Sequence, residues 1–224
     1  MSPSPSPVAP LPARWQELFT AVLSDALDSV GLTGQAMAHT IRPLDENLKM
    51  CGRARTGIYM EVAHVEEGAN PYELEMALID GLQPGEVAVL ACGGSSRIAP
   101  WGGLLSTATT MRGGAGCVTD GFVRDILEIR RLKLPVFHGG IAPLDSKGRG
   151  QIQAIDVPVT CGGVRVVPGD LVFGDADGLV VVPQAAEAAV LAAAYDKIDG
   201  ESHTLRELQQ GALLRDVYAK YGIL

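Results

Sequence analysis

Apolar side chains recur at helical spacing in several segments of the chain. Over residues 14–30 they lie three or four positions apart, and Gly31 follows as a stop signal, so this segment is predicted to form an amphipathic helix. A second helix is predicted over residues 71–82, before the turn sequence Pro84-Gly85. Further helices are predicted over residues 104–112, 125–131, 185–195 and 203–208.

Short apolar segments bounded by turn residues alternate with these helices. They predict strands at residues 41–44, 52–62, 87–91 and 116–119, and the segment 157–183 is strand-rich with Gly and Asp at its turns. The alternation of strand and helix indicates a layered α/β core with some parallel pairing. Neither an internal repeat nor a second-domain linker is evident. We therefore expect a single α/β domain over residues 14–224, preceded by a flexible Pro/Ser-rich tail at residues 1–13.

Composition and charge narrow the classes of function. With 224 residues and 47% apolar side chains, the chain can bury a substantial core. A net charge of −8 argues against a nucleic-acid partner, because a nucleic-acid groove normally has a basic face. No apolar run approaches the roughly 20 residues that span a bilayer, so no membrane partner is expected.

The start of the chain and its cysteines bear on the compartment. Residues 1–7 are rich in Pro and Ser and lack the basic region and apolar core of a signal peptide. The four cysteines are far apart and form no CxxC motif; they are Cys51, Cys92, Cys117 and Cys161. Buried, reduced thiols in a cytoplasmic protein are therefore expected.

The segment Asp120-Gly121-Phe122-Val123-Arg124-Asp125 places a guanidinium group directly beside a carboxylate. Arg124 offers a planar fork of donors that suits a substrate carboxylate. Asp125 offers the hard oxygen ligands that Mg²⁺ or Mn²⁺ prefers. Together they could hold a 2-oxo acid and polarise its keto oxygen. The alternative is a surface ion pair that opens a helix, with Asp125 near the positive end of the helix dipole.

A glycine-rich turn precedes this pair. Trp101 is followed by Gly102-Gly103-Leu104-Leu105, which leads into a predicted helix. Glycine-rich turns and helix N-termini expose backbone N–H groups and can bind an anion. The alternative is a helix N-terminus whose glycines serve only close packing.

Taken in order, the motifs resemble the RraA-like family, which includes the 4-hydroxy-4-methyl-2-oxoglutarate/4-carboxy-4-hydroxy-2-oxoadipate aldolases. The resemblance extends from about Ser24 to the C-terminal helix. Its motifs are Gly93-Gly94, the segment 101–107, the segment 120–125, Pro135-Val136-Phe137-His138-Gly139-Gly140, the segment 159–164 and the segment 168–183. The resemblance implies a layered β/β/α swivelling-type fold. It also implies a homotrimer or a dimer of trimers with active sites at the subunit contacts.

The resemblance further implies a divalent-metal-dependent lyase that acts on a small 2-oxo di- or tricarboxylate. The backbone amides of Gly102, Gly103, Leu104 and Leu105 would bind the pyruvyl carboxylate. Arg124 would bind the substrate carboxylate or keto oxygen, and Asp125 would ligate Mg²⁺ or Mn²⁺, largely with waters as the other ligands. Retro-aldol cleavage to pyruvate and decarboxylation of oxaloacetate give the same enolate, so one site could serve both reactions.

Several residues have competing interpretations. Many enzymatic relatives carry an acidic residue where this chain has Gly103, and Glu201, from a neighbouring subunit, could supply a second carboxylate. Glu201 could equally be a solvated helix residue. His138 could face the substrate or could be hydrogen-bonded at a strand end, and Arg97 could hold a distal carboxylate or lie on the surface. Asp170, Asp175 and Asp177 occur in turn sequences and are predicted to be structural.

The alternative function is that of a non-catalytic regulator that binds a ribonuclease complex. Such relatives lose the carboxylate after the arginine, whereas this chain retains Arg124-Asp125. The retained pair favours the lyase.

Overall fold

A mixed eight-stranded sheet forms the centre of the protein. The structure, a computed structural model, describes residues 8–64 and 67–222. Within these residues ten strands are formed: β1 (Arg42–Pro43), β2 (Met50–Glu61), β3 (Glu86–Ala91), β4 (Gly116–Val123), β5 (Val136–Ile141), β6 (Gly150–Ile155), β7 (Val159–Cys161), β8 (Val164–Val166), β9 (Leu171–Asp175) and β10 (Gly178–Val182). The α-helices in the same residues are α1 (Thr20–Ser29), α2 (Glu73–Asp80), α3 (Gly103–Met111), α4 (Ile126–Leu132), α5 (Glu187–Gln209) and α6 (Leu214–Tyr221).

The strand order in the main sheet is β1-β5-β4-β3-β2-β9-β10, and β6 also pairs with β2. Strands β2, β3, β4 and β5 are parallel neighbours, connected in turn by α2, α3 and α4. The carboxyl ends of parallel strands lie at one edge of a sheet, where ligand sites of α/β folds form. The segments that follow β2, β3, β4 and β5 therefore meet at this edge.

Strand β3 shows how the layers form. Val87, Val89 and Ala91 pack into a cluster with β7 and β8, whereas Ala88 and Leu90 pack into a cluster with α2, α3 and α4. Alternate side chains of a strand point to opposite faces, so the sheet is covered by a β-hairpin on one side and by helices on the other. This β/β/α layering confirms the predicted fold class.

A third apolar cluster joins the two ends of the chain. Helices α1 and α5 pack together against β9 and β10, with Leu23, Phe173 and Val190 fully buried between them. In the part of the chain that the structure describes, no helix is both long and apolar enough to cross a bilayer.

The structure differs from the sequence prediction at several elements. The helix predicted over residues 14–30 is a 3₁₀ turn at Trp15–Glu17 followed by α1, because Leu18 and Phe19 adopt extended backbone conformations. The two helices predicted over 185–195 and 203–208 are one continuous helix, α5. Strand β6 and helix α6 were not predicted. Strand β4 continues to Val123, beyond the predicted end at Thr119, with a register shift between Thr119 and Phe122.

The predicted tail lies only partly within the described residues. Residues 1–7 lie outside them. In the described portion, the carbonyl oxygens of Ala9 and Pro10 accept hydrogen bonds from the guanidinium group of Arg53.

Candidate active site

A cavity of about 310 Å³ lies at the carboxyl edge of the parallel strands. Four segments form its walls: the start of α2, the loop before α3 with its first turn, the end of β4, and the loop between β5 and β6. Its lining residues are Tyr72, Glu75, Met76, Ala99, Pro100, Trp101, Gly102, Leu104, Leu105, Arg124, Asp125, Asp145 and Ser146. The cavity therefore combines apolar walls with one basic and several acidic side chains.

Arg124 is placed by the pairing of two segments. Its backbone N–H donates a 3.0 Å hydrogen bond to the carbonyl oxygen of Trp101, and Trp101 pairs with Val123 in a parallel bridge. The Arg124 side chain is 40% exposed, and its Nη1 donates a 3.3 Å hydrogen bond to the carbonyl oxygen of Leu144. Arg124 also lines the cavity, which is large enough for a small anion.

Two carboxylates flank this guanidinium group. Nε of Arg124 lies 3.9 Å from Oδ2 of Asp125, and Nη1 lies 3.8 Å from Oδ2 of Asp145. These separations exceed hydrogen-bond length, so the carboxylates balance the charge of Arg124 without occupying its donors.

Asp125 caps α4 in an unusual conformation. Its φ of 59° and ψ of 38° are left-handed, a region that Asp tolerates better than most residues. Its backbone carbonyl accepts hydrogen bonds from the N–H groups of Glu128 and Ile129, and its Oδ2 accepts one of 3.0 Å from the N–H of Gly103. The half-exposed carboxylate is thus held at the cavity.

The glycine pair permits close contact between α3 and this carboxylate. A Cβ atom at Gly102 would lie 2.7 Å from Oδ2 of Asp125, so a side chain there would displace the carboxylate. A Cβ atom at Gly103 would lie 3.4 Å from Cβ of Asp125 and from Cβ and Cγ of Glu128, which is normal contact. Leu104 and Leu105 follow in the first turn of α3, where backbone N–H groups lack acceptors within the helix.

Two phenol–carboxylate pairs that the sequence analysis missed include three residues of the cavity lining, Tyr72, Glu75 and Asp145. The hydroxyl of Tyr59 donates a hydrogen bond to Oε2 of Glu75, and the hydroxyl of Tyr72 donates a 3.0 Å hydrogen bond to Oδ2 of Asp145. The sequence held part of this information. Tyr72 and Glu75 are three residues apart in the helix predicted over residues 71–82, so that helix would place them on one face. Their partners come from distant segments, and no motif connects them.

The environments of these two carboxyl groups shift their pKa values in opposite directions. Burial raises the pKa of Glu75, an effect that the hydrogen bond from Tyr59 only partly offsets. Burial also acts to raise the pKa of Asp145, but hydrogen bonds from the N–H of Lys147 and from Tyr72, with the charge of Arg124, outweigh it and lower that pKa. One cavity therefore holds a carboxyl group whose pKa is raised beside one whose pKa is lowered.

The residues present suit a magnesium-type ion bound mainly through water. In the described residues, no group of three or more His, Cys, Asp or Glu side chains is arranged to hold a metal. Mg²⁺ commonly uses one or two protein carboxylates and several waters, and the half-exposed Asp125 carboxylate at the cavity meets that requirement.

Comparison with known proteins agrees with this architecture. The model of the RraA-like family, described as Aldolase/RraA, matches residues 20–181. The chain belongs to the RraA-like family. This confirms the family that the ordered motifs suggested.

The relatives of this RraA-like chain include proteins named as aldolases and a member of a ribonuclease-inhibitor family. The chain is 41% identical, over 82% of its length and 81% of the relative's, to a protein of Halalkalibacterium halodurans provisionally named 4-hydroxy-4-methyl-2-oxoglutarate aldolase. It is 31% identical to the 4-hydroxy-4-methyl-2-oxoglutarate aldolase of Thermus thermophilus, over 67% of this chain and 86% of that one. The structure of Streptomyces coelicolor RraAS2, an unusual member of the RNase ES inhibitor RraA protein family, superposes with a TM-score of 0.74 at 31% identity, covering 84% of this chain and 91% of that one.

Not all predicted site residues of the RraA-like chain lie at the cavity. Gly102, Leu104, Leu105, Arg124 and Asp125 line it, and Gly103 contacts Asp125 from the first position of α3. These residues come together as the sequence predicted, whereas their chemical roles stay predictions.

His138 and Glu201 lie elsewhere. His138 is buried in β5 and does not line the cavity; burial, with the charge of Arg130, lowers its pKa, and its Nδ1 has no hydrogen-bond partner in the described residues. Glu201 lies in α5, where its carboxylate is 3.7 Å from Nζ of Lys197. Within one chain it does not reach the cavity.

The other charged residues considered from the sequence form ion pairs or hydrogen bonds away from the cavity. Arg97 pairs with Glu61 at 2.9 Å on the surface. Asp170 accepts hydrogen bonds from the N–H groups of Val167 and Gln184, and Asp175 accepts them from Thr20 and Asp177, so these carboxylates organise turns. The four cysteines are free and buried.

Proposed function

We propose that this protein is a carbon–carbon lyase that cleaves a small 2-oxo acid, of the di- or tricarboxylate class, and releases pyruvate. The observation that carries the proposal is the juxtaposition of Arg124 and Asp125 with the first turn of α3 in one cavity. The relatives named as aldolases support the same class of reaction.

Hydrogen-bond donors of the cavity would bind the negatively charged substrate. The fork of Arg124 would hold the carboxylate or keto oxygen of the 2-oxo acid through paired hydrogen bonds. The backbone N–H groups of Leu104 and Leu105 would bind the pyruvyl carboxylate at the positive end of α3. Trp101, Pro100 and Leu105 form the apolar wall against which the carbon chain would pack.

Asp125 would hold the divalent ion, Mg²⁺ or Mn²⁺. When bound, such an ion supplies electrostatic stabilisation to the oxyanion that develops as the carbon–carbon bond breaks. The chain's own contribution is to orient Asp125, through its left-handed backbone and the hydrogen bond from Gly103. Because β-keto acid decarboxylation gives the same enolate, oxaloacetate is a second candidate substrate.

Assembly into a homotrimer or a dimer of trimers is part of the proposal. Leu104, which lines the cavity, is 87% exposed, and Leu127, two residues after Asp125 in α4, is 71% exposed. Burial of these side chains against a second copy would remove apolar surface from water. Such an interface would also be the route by which Glu201 of another subunit reaches the site.

The alternative function is that of a non-catalytic regulator of a ribonuclease complex. Its support is the structural similarity to RraAS2, which belongs to the RNase ES inhibitor RraA family. The presence of both Arg124 and Asp125 in the lining of the cavity favours the lyase, because a guanidinium group beside a carboxylate suits a small 2-oxo acid and a divalent ion.

The test is a pyruvate-release assay on a panel of 2-oxo acids: a 4-hydroxy-2-oxo dicarboxylate, its tricarboxylate analogue, oxaloacetate, and 2-oxoglutarate as a non-cleavable control. Each is assayed with Mg²⁺, with Mn²⁺ and with a chelator. We expect metal-stimulated release from at least one of the first three and none from the control. Absence of release from all of them would contradict the lyase and leave the regulator.

A further inference from the structure

A carboxyl group and a buried phenol form a pair on the α2 side of the cavity. Glu75 lines the cavity, and its Oε2 accepts the hydrogen bond of the Tyr59 hydroxyl. Tyr59 lies in β2 and is only 4% exposed, so packing fixes its position. Neither residue has a part in the substrate and metal binding assigned above.

The groups that face Glu75 come from four elements. Tyr59 approaches from β2, Tyr72 from the preceding turn of α2, Asp145 from the loop after β5, and Arg124 from the end of β4. Burial is the largest influence and raises the pKa of Glu75; Asp145 adds to the rise, while Tyr59 and Arg124 reduce it. Glu75 therefore retains its proton to higher pH than an exposed glutamate.

The proposed reaction requires a proton donor that the other groups do not supply. Cleavage leaves an enolate, and its carbon must take up a proton to become the methyl group of pyruvate. A guanidinium group does not serve as a proton donor in proteins, and hydrogen bonds with the charge of Arg124 lower the pKa of Asp145. Two carboxyl groups whose pKa values are pushed apart in one site are a common sign of separate acid and base roles.

We propose that Glu75 is the catalytic acid that protonates the enolate carbon, and that Tyr59 is its positioning residue. The inference rests on the proposed lyase function. In the step, the bond between C3 and C4 breaks and its electron pair forms the enolate. C3 then takes the carboxyl proton of Glu75, which becomes a carboxylate. The substrate hydroxyl proton is released to solvent, and solvent returns a proton to Glu75.

The transfer can be observed without cleavage. An enzyme that protonates the enolate also catalyses exchange of the methyl protons of pyruvate with deuterium oxide, which NMR follows directly. With Mg²⁺ present, Glu75→Gln is expected to lower kcat for exchange and for pyruvate release by about 100-fold or more, within the usual range of acid–base catalysis. The KM for pyruvate should change much less, because Arg124 and the α3 amides remain. Glu75→Asp, whose acid is one methylene shorter, should retain part of the exchange rate that Gln loses.

The pH profile distinguishes a proton donor from a structural glutamate. Because cleavage needs the protonated form of Glu75, the rate of pyruvate release should fall as pH rises through its pKa. Exchange begins with removal of a methyl proton by the Glu75 carboxylate, so the exchange rate should rise over the same pH range. Tyr59→Phe removes a hydrogen bond that lowers this pKa, so the alkaline limb should move to higher pH. The matched control is Tyr72→Phe, whose phenol binds Asp145 instead. Tyr72→Phe should leave the position of the alkaline limb unchanged.

The outcomes separate this inference from the proposed function. A wild-type protein that neither exchanges pyruvate protons nor releases pyruvate from any acid would overturn both. A wild-type protein that is active while Glu75→Gln exchanges at the wild-type rate would overturn only the assignment of Glu75. An unchanged alkaline limb in folded Tyr59→Phe would remove Tyr59 as the positioning residue and, with it, the proposed pair.

Discussion

The N–H of Gly103 donates a 3.0 Å hydrogen bond to Oδ2 of Asp125. This contact joins the first residue of α3 to the N-terminal cap of α4, two positions that are 22 residues apart in sequence. It fixes one oxygen of the carboxylate beside Arg124 and sets the geometry on which the first three predictions depend.

Replacement of Asp125 should abolish metal-dependent activity without unfolding the protein. Asn is the sharper variant, because it tolerates the left-handed backbone and retains an oxygen that can accept the hydrogen bond from Gly103, while the charge is lost. Asp125→Ala should be equally inactive and also less stable, since Ala at a φ of 59° is strained. Titration of activity with Mn²⁺, together with thermal unfolding, checks both. Full activity with an unchanged metal response in Asp125→Asn would refute the metal assignment.

Arg124→Lys should keep the positive charge but lose the paired donors. We expect kcat/KM to fall roughly tenfold or more, because a loss of about 1.4 kcal/mol of transition-state stabilisation already corresponds to a factor of ten. Metal affinity should change little, since Asp125 remains. The control is Arg131→Lys, whose partner Glu128 lies on the surface and outside the cavity lining. Wild-type kinetics of Arg124→Lys on every active acid would make Arg124 a structural residue.

Gly102 and Gly103 should differ in how well they tolerate replacement by Ala. A Cβ atom at Gly102 would lie 2.7 Å from Oδ2 of Asp125 and must displace the carboxylate, whereas one at Gly103 has contacts of 3.4 Å. Gly102→Ala is therefore expected to lose most activity and Gly103→Ala to retain a substantial part of it. Titration of the activity of both variants with Mn²⁺ shows whether the loss of activity comes from weaker metal binding. Equal activity of the two would show that the position of Asp125 is not critical.

The protein should behave as an assembly in solution. Size-exclusion chromatography with light scattering should give a mass well above the 23.5 kDa of one chain, at a multiple of three. Leu127→Glu places a charge at a 71% exposed leucine of α4 and should weaken the assembly and the activity together. A monomer at micromolar concentration that retains full activity would rule out shared sites and the role suggested for Glu201.

The ion pair between Arg53 and Glu187 should matter more for stability than a surface pair. Their side chains are 4% and 18% exposed, and Nη2 of Arg53 lies 2.8 Å from Oε1 of Glu187. Arg53→Ala leaves the mostly buried Glu187 carboxylate without its partner and should cost about 3 kcal/mol in the free energy of unfolding. Arg97→Ala, which breaks the exposed pair with Glu61, should cost less than about 1 kcal/mol. Urea denaturation of both variants measures the difference, and equal losses would contradict the effect of burial.

The sequence by itself determined the elements and the chemistry that depend on neighbouring residues. Alternation of strands and helices predicted the α/β core, and the adjacent Arg124 and Asp125 predicted one charged pair at the site. The turn Gly102-Gly103 predicted the start of a helix. These features depend on local backbone preferences and on the order of motifs, and both can be read from the sequence alone.

Only the tertiary structure decided which distant groups share the cavity. The pairs of Tyr59 with Glu75 and of Tyr72 with Asp145 join residues 16 and 73 positions apart. The first forms because α2 packs back against β2, and the second because the parallel sheet brings the segments after β2 and β5 to one edge. The same sheet buries His138 inside β5, away from that edge. Periodicity shows which face a side chain takes, but strand order and register determine what lies opposite it, and these are set by packing across the whole chain.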